Sequence, residues 1–290
     1  MARVKQSWQR WPLLVGLVSA IAGVAAMAAP VRPPEPKHRP QRIVSLNLCA
    51  DQLVVALADR EQIAGLTQHV RDPAMSAAAE AARGLPLIAG SAEEVLAANP
   101  DLVIGMPARG SRATKILRAQ DYRAIDLQTT NNYADIVASI RQVAQAVGHV
   151  ERGEALIARM NAQLARLPKA RRPMVAAYYQ RRGYMTGTGT LVDDLMARAG
   201  VTNLASILGK PSLSQISLEE MRAAAPDFLI VESATDQVVD QGTAMLHHPI
   251  LAGIARVSIP EAWTVCGGPA YVEAARALSN VVSAQQVRHR

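Results

Sequence analysis

One stretch of this chain occurs twice. Ser91-Ala92-Glu93-Glu94-Val95-Leu96-Ala97-Ala98-Asn99-Pro100-Asp101-Leu102-Val103-Ile104 is matched by Ser217-Leu218-Glu219-Glu220-Met221-Arg222-Ala223-Ala224-Ala225-Pro226-Asp227-Phe228-Leu229-Ile230. The copies share the serine, both glutamates, an Ala-Ala pair, the Pro-Asp step and the closing isoleucine, and their apolar positions correspond. Each reads as a helix, a Pro-Asp turn and a buried strand. A supersecondary unit repeated twice and far apart implies two like lobes, not a solenoid. A chain of 290 residues is long enough to give each lobe its own core.

The flanking sequence alternates in the same sense. Short apolar strands are expected at Arg42–Leu46, Ile63–Leu66, Leu87–Ala89, Leu102–Gly105 and Ala124–Leu127. Helices are expected near Ala50–Ala58, Ala92–Asn99 and Arg112–Ala119. That order predicts a mostly parallel sheet covered on both faces. From Tyr133 to Leu167 the strand signal vanishes. Ile136, Ile140, Val143 and Val147, then Leu156, Met160, Leu164 and Leu167, recur at helical spacing, with Gly148 a point of division and Pro168 the stop. A stiff helical connector is expected there. Alternation resumes with a strand at Pro173–Tyr179, helices near Leu191–Ala199 and Leu218–Ala225, strands at Phe228–Glu232 and Val257–Ile259, and a final helix from Tyr271.

The organisation so read is a secretory signal over 1–29, a tether over 30–41, an N-terminal lobe over 42–132, a helical backbone over 133–168 and a C-terminal lobe over 169–290. Arg3, Lys5 and Arg10 precede an apolar run from Leu13 to Ala29 with small residues at its end, so cleavage is expected near Ala28/Ala29. The run is short of the ~20 residues a membrane span needs, and an uncleaved anchor is the alternative. The signal holds three of the positive charges behind the formal +7, and the remaining basic residues are interleaved with acids. No block would track a phosphate backbone, so no nucleic-acid partner is expected. The two cysteines, Cys49 and Cys266, stand at opposite ends of the mature chain in loop-like contexts, and two separate buried thiols are expected, with a bridge the minority reading.

The glutamates of the repeat divide by chemistry. Ser91 with Glu94, and Ser217 with Glu220, have the spacing of a capping box, in which the second glutamate bends back to the N-cap amide. Glu93 and Glu219 are left over. On spacing alone, interaction with the helix dipole, worth ~0.3–1 kcal/mol, is the favoured account of them. The competing account is docking, since one exposed acid per lobe makes a pseudo-twofold pair suited to a twofold partner.

The start Arg42-Ile43-Val44-Ser45-Leu46-Asn47-Leu48-Cys49-Ala50-Asp51-Gln52-Leu53, the mid-chain helix and the doubled Glu-Glu…Pro-Asp motif resemble the substrate-binding proteins of ABC importers for metal chelates, of the helical-backbone class. The resemblance spans about residues 42–283. It implies an α/β fold of two Rossmann-like lobes with mostly parallel sheets, joined by a long interlobe α-helix, with a ligand in the cleft. It implies a monomer in the periplasm serving a permease dimer, whose arginines meet one glutamate per lobe. Those glutamates fall on Glu93 and Glu219, which turns the balance to docking.

Ligands of open α/β lobes bind at the carboxyl ends of strands. That rule, with the aromatic and cationic residues present, selects Asn47, Cys49, His69, Arg109, Tyr179, Arg181, Tyr184 and Trp263 as ligand-binding candidates; mid-strand Tyr178 is expected in the core. Gly187-Thr188-Gly189-Thr190 lacks the form of a phosphate loop, and Thr190 with Asp193 reads as a helix cap. No bare-metal site, cofactor or catalytic constellation is expected. The cationic candidates place ferric siderophore first as ligand, corrinoid such as cobalamin close behind and haem third. The other classes are a sensory or scaffold receptor of the same fold and, behind it, an exported enzyme.

Overall fold

The computed structural model describes residues 39–106, 123–168, 170 and 172–288. The expected signal, most of the tether, the helix at 112–119 and Arg109 lie outside the described residues.

The first sheet holds five strands in the order β3-β2-β1-β4-β5: β1 Ile43–Ser45, β2 Ile63–Thr67, β3 Leu87–Ile88, β4 Leu102–Gly105 and β5 Ala124–Asp126. Every pairing in it is parallel. Helices α1 Leu48–Leu57 and α2 Ala92–Ala97 follow β1 and β3. β1 and β4 are buried along their whole length, as apolar runs in a two-faced parallel sheet should be.

The second sheet orders β11-β10-β6-β7-β9, with β8 also on β6. Its strands are β6 Met174–Tyr179, β7 Tyr184–Thr186, β8 Val201–Asn203, β9 Leu213–Gln215, β10 Phe228–Glu232 and β11 Ala255–Ile259. β8-β6-β10-β11 is a parallel set, and β7 and β9 are antiparallel additions. β7, β8 and β9 were not expected from sequence. Each is three residues long, too short to show a pattern.

The repeat survives in three dimensions. Ser91 and Ser217 cap α2 and the helix α6 Leu218–Ala224, accepting the amides of Glu94 and Glu220 at 3.2 and 3.0 Å. The reciprocal half of the capping box is not made. The Glu94 carboxylate accepts the amide of Ala89 at 2.6 Å, and Glu220 pairs with Lys210 at 2.8 Å. Before each proline the chain turns left-handed, with φ of 46° at Asn99 and 42° at Ala225. The following aspartates then clamp the neighbouring strand. Asp101 accepts the amides of Gln41 and Arg42 at 2.6 and 3.0 Å, at the start of β1. Asp227 accepts the amide of Val175 in β6 at 2.7 Å. Pro-Asp therefore does more than stop a helix: it sets the alignment of two adjacent parallel strands in each lobe.

Between the sheets the chain is helical, as expected, and Gly148 divides it. α3 Tyr133–Val147 ends at Gly148, which caps it with φ 81°, and α4 Val150–Ala165 returns antiparallel. Arg141 meets Glu154 at 2.7 Å, and Tyr133 donates to Asn161 at 2.7 Å. A Cβ on Gly153 would come within 2.5 Å of Ala144, so glycine permits the close approach. The unit is tied to both sides. Arg152 bonds the Leu57 carbonyl and Asp59 at 2.8 and 2.6 Å, beside the first sheet. Toward the second, Arg198 of α5 (Leu191–Arg198) stacks 4.9 Å over Tyr133 and 5.7 Å from the Tyr271 ring at the head of α7 (Tyr271–Arg288).

Candidate ligand-binding cleft

On the first lobe the carboxyl ends of β1 and β2 present Asn47 and the pair Gln68-His69. Asn47 caps α1, its side-chain oxygen accepting the Ala50 amide at 3.0 Å. One turn on, buried Asp51 accepts the backbone amide of Thr67 at 3.1 Å and its hydroxyl at 2.5 Å. Burial pushes the Asp51 carboxyl up to about 6 against these hydrogen bonds and the charge of His69. Asp51 thus fixes the end of β2, and Gln68 and His69 follow it exposed. The segment after them has no regular element, yet Arg60 holds the carbonyls of Ala81 and Arg83 at 2.8 and 2.6 Å and Arg71 that of Leu85 at 2.5 Å. This segment carries Asp72.

On the second lobe the end of β10 places Glu232. Tyr178, Gln180 and Thr235 donate to its carboxylate at 3.3, 3.1 and 3.3 Å. Tyr178 also meets the Thr264 hydroxyl at 3.2 Å, and its phenol is pushed up by burial and the Glu232 charge. Glu261, just beyond β11, is raised by burial and then by the neighbouring charges of Glu232 and of Asp72 from the opposite lobe. Carboxylates from both lobes therefore share one field. Among the described residues no three metal-ligating groups are close enough to hold an ion.

The lobes meet in a seam. Cys49, at the start of α1, is bonded to Cys266, beyond β11, with Cα atoms 5.2 Å apart. This overturns the expectation of two separate thiols: the strand ends that carry them face each other, which a sequence separation of 217 conceals. The adjacent Gly267 packs so tightly on Thr130 that a Cβ would fall within 1.8 Å of its hydroxyl. A cavity of about 120 Å³ beside the cystine is lined by Leu53, Met106, Leu127, Thr130 and Leu191 among others. Trp263 lies half-buried in a second, larger groove of about 360 Å³, against Gln52, Val55, Ala56 and Ala78.

The sequence candidates are therefore only partly gathered. Asn47, His69, Cys49 and Trp263 lie at or near the facing strand ends. Tyr184 opens β7, 37% exposed, and is paired with Gln215. Tyr179 does not reach the cleft: it is fully buried in the core on the other face of the second sheet, where burial pushes its phenol up to about 12. A one-residue step along a strand reverses the face, so Tyr178 points to the Glu232 network and Tyr179 away. Arg181 is no free cation, since it pairs with Asp240 at 2.7 Å and lies against Gly242. The strand-end rule selects Glu232 and, in the Tyr179–Tyr184 stretch, its donor Gln180; Glu261 and Asp72 were not singled out from sequence. Glu93 and Glu219 are both exposed in the first turns of α2 and α6, and among the described residues neither carboxylate has a hydrogen-bond or ion-pair partner.

Comparison with known proteins gives a consistent picture. A family model described as periplasmic binding protein matches residues 43–256. A cobalamin-binding protein of Halobacterium salinarum is 24% identical over 215 residues, which is 71% of this chain and 58% of that protein. The chain thus spans less than two thirds of that relative's length. Among solved structures, the apo form of the periplasmic heme-binding protein RhuT from Roseiflexus sp. RS-1 aligns with a TM-score of 0.65 and 26% identity, over 83% of this chain and 99% of that one. The periplasmic heme-binding protein HutB of Vibrio cholerae shares the fold at a TM-score of 0.68 and 21% identity, over 83% and 98% of the two chains.

Proposed function

The chain belongs to the periplasmic binding protein family, and from that premise we propose that it captures a corrinoid in the cleft between its lobes and hands it to an ABC importer. The observation that carries the choice of ligand is the acidic character of the cleft. Among the described residues, burial and then the charges of Glu232 and of Asp72 from the opposite lobe raise the Glu261 carboxyl, while Arg181 is paired with Asp240. A ferric siderophore or a haem brings anionic groups into that field. A corrinoid brings peripheral amides, whose N–H groups suit carboxylate acceptors. The named function of the Halobacterium relative supports the same choice. The proteins it resembles are binding proteins, and transport without turnover is the reading that follows.

Haem is the second reading, because His69 stands exposed at the end of β2, and an imidazole there is suited to ligate iron. The proposal includes export by a cleaved signal at 1–29 and docking of Glu93 and Glu219 on a permease dimer. Once the signal is removed, Trp263 is the one tryptophan, and its fluorescence serves as reporter. Titration of the mature chain with cyanocobalamin, hemin and ferric citrate should quench Trp263 saturably with cyanocobalamin at the lowest concentration. Tighter hemin binding that is lost in His69→Ala would replace corrinoid by haem. Tightest binding of ferric citrate would overturn the acidic-cleft argument.

A further inference from the structure

The cystine does not sit within either lobe. Cys49 opens α1, directly after the central strand of the first sheet, and Cys266 follows β11 of the second. Beside it the backbone of Gly267 rests on the Thr130 side chain with no space for a side chain of its own, and Cys266 and Gly267 are buried. The helical connector α3–α4 is a second tie, fastened to one lobe through Asp59 and to the other through the Tyr133, Arg198 and Tyr271 stack. In hinge closure two lobes pivot about a few residues that connect them. Two ties at separate places, on a core that runs through both lobes, restrict the twist of one lobe against the other.

We infer that the Cys49–Cys266 bond is a redox-sensitive latch that holds the cleft floor shut and limits how fast a bound ligand escapes. Cys49 is partly exposed, so a dithiol can reach the bond. One thiolate of the dithiol attacks a cystine sulfur and the other sulfur leaves as a thiolate and takes a proton. The second thiol of the reagent then resolves the mixed disulfide. The reagent departs as its own disulfide, two electrons poorer, and the protein holds two thiols. With the bond open, the floor is joined by the Gly267–Thr130 contact and the apolar side chains around it, among them Leu53, Leu127 and Leu191, none of them covalent, and the lobes gain the twist that the cystine forbids. Each sheet keeps an apolar cluster of its own, Val44, Val95 and Val103 on the first and Tyr179, Leu229 and Val231 on the second, because the bond joins lobes and not strands within a sheet.

The ligand reading above supplies only the second of two readouts. The mature chain is compared oxidised, reduced with dithiothreitol, and as the Cys49→Ser/Cys266→Ser double variant. Backbone hydrogen exchange at Thr130, Gly267 and Gly268 should be at least about tenfold faster in the reduced and double-variant forms, with β1, β4, β6 and β10 unchanged. Dithiothreitol should leave the double variant unaltered. Equal exchange in the three forms, or two free thiols in the oxidised protein after denaturation, overturns the latch. Faster exchange throughout both sheets overturns it too, since the bond is then a general staple. Cyanocobalamin release should quicken by about tenfold in the two open forms, and unchanged release refutes the control of escape. If cyanocobalamin binds no form while the exchange contrast holds, the latch stands and the corrinoid reading falls.

Discussion

At the residue scale, the burial of Asp51 has a measurable consequence. Its carboxyl titrates near 6 in the folded chain against an ordinary value of 3.8. The folded state therefore binds the proton more tightly than the unfolded state. Between about pH 4 and 6, folding takes up a proton, so the Asp51 contribution to stability falls as pH rises through that window and stays low above it. The full difference is roughly 3 kcal/mol at neutral pH. Asp51→Asn keeps an acceptor for the Thr67 amide and removes the charge. Thermal unfolding should show the variant more stable than the parent at pH 7.5, with the gap narrowing through pH 6 to 4 and closed only below about pH 4. A gap that does not change with pH contradicts the buried carboxylate. Contacts close in sequence were legible at this scale: Ser91, Ser217 and Thr190 cap the helices they precede. Distant ones were not. Glu94 and Glu220 share one motif, yet one finds Ala89 and the other Lys210, and nothing local marks Cys49 as the partner of Cys266.

At the element scale, the doubled Pro-Asp step is the joint that aligns β1 with β4 and β6 with β10. Asp101 takes two backbone amides and Asp227 one. A carboxylate accepting amide hydrogen bonds in a partly solvated site contributes about 1–2 kcal/mol. Asp101→Ala and Asp227→Ala should each lower unfolding free energy by that amount in urea, with Asp101→Ala the larger loss. Equal and negligible losses would reduce the motif to a turn signal. Long apolar or amphipathic elements were readable from period alone, as in β6, β10, α3 and α4. The antiparallel pair β7 and β9 was not, because their residues alternate over only three positions and β9 is largely exposed. β7 pairs with the far end of β6, and β9 in turn with β7.

At the scale of the whole molecule, two like lobes place two like acids. Glu93 and Glu219 stand in equivalent first turns and their carboxylates are unpaired among the described residues. Glu93→Lys with Glu219→Lys should abolish uptake in cells while cyanocobalamin affinity of the purified chain stays within about twofold. Uptake that survives both reversals removes the docking role. The two-lobe plan was visible in the repeat itself. The electrostatic character of the cleft was not, since Glu232, Glu261 and Asp72 come from three separate segments that only the tertiary fold brings together. Of the arginines that suggest an anionic ligand, Arg181 is paired with Asp240 and Arg109 lies outside the described residues.

The corrinoid reading is tested most directly by what the protein carries. The full chain is to be expressed, purified from the periplasmic fraction without added ligand, and assayed by mass and visible absorbance of the material released on denaturation. The account predicts a corrin spectrum and mass at close to one molecule per chain. A haem or ferric-chelate spectrum at that stoichiometry would contradict it.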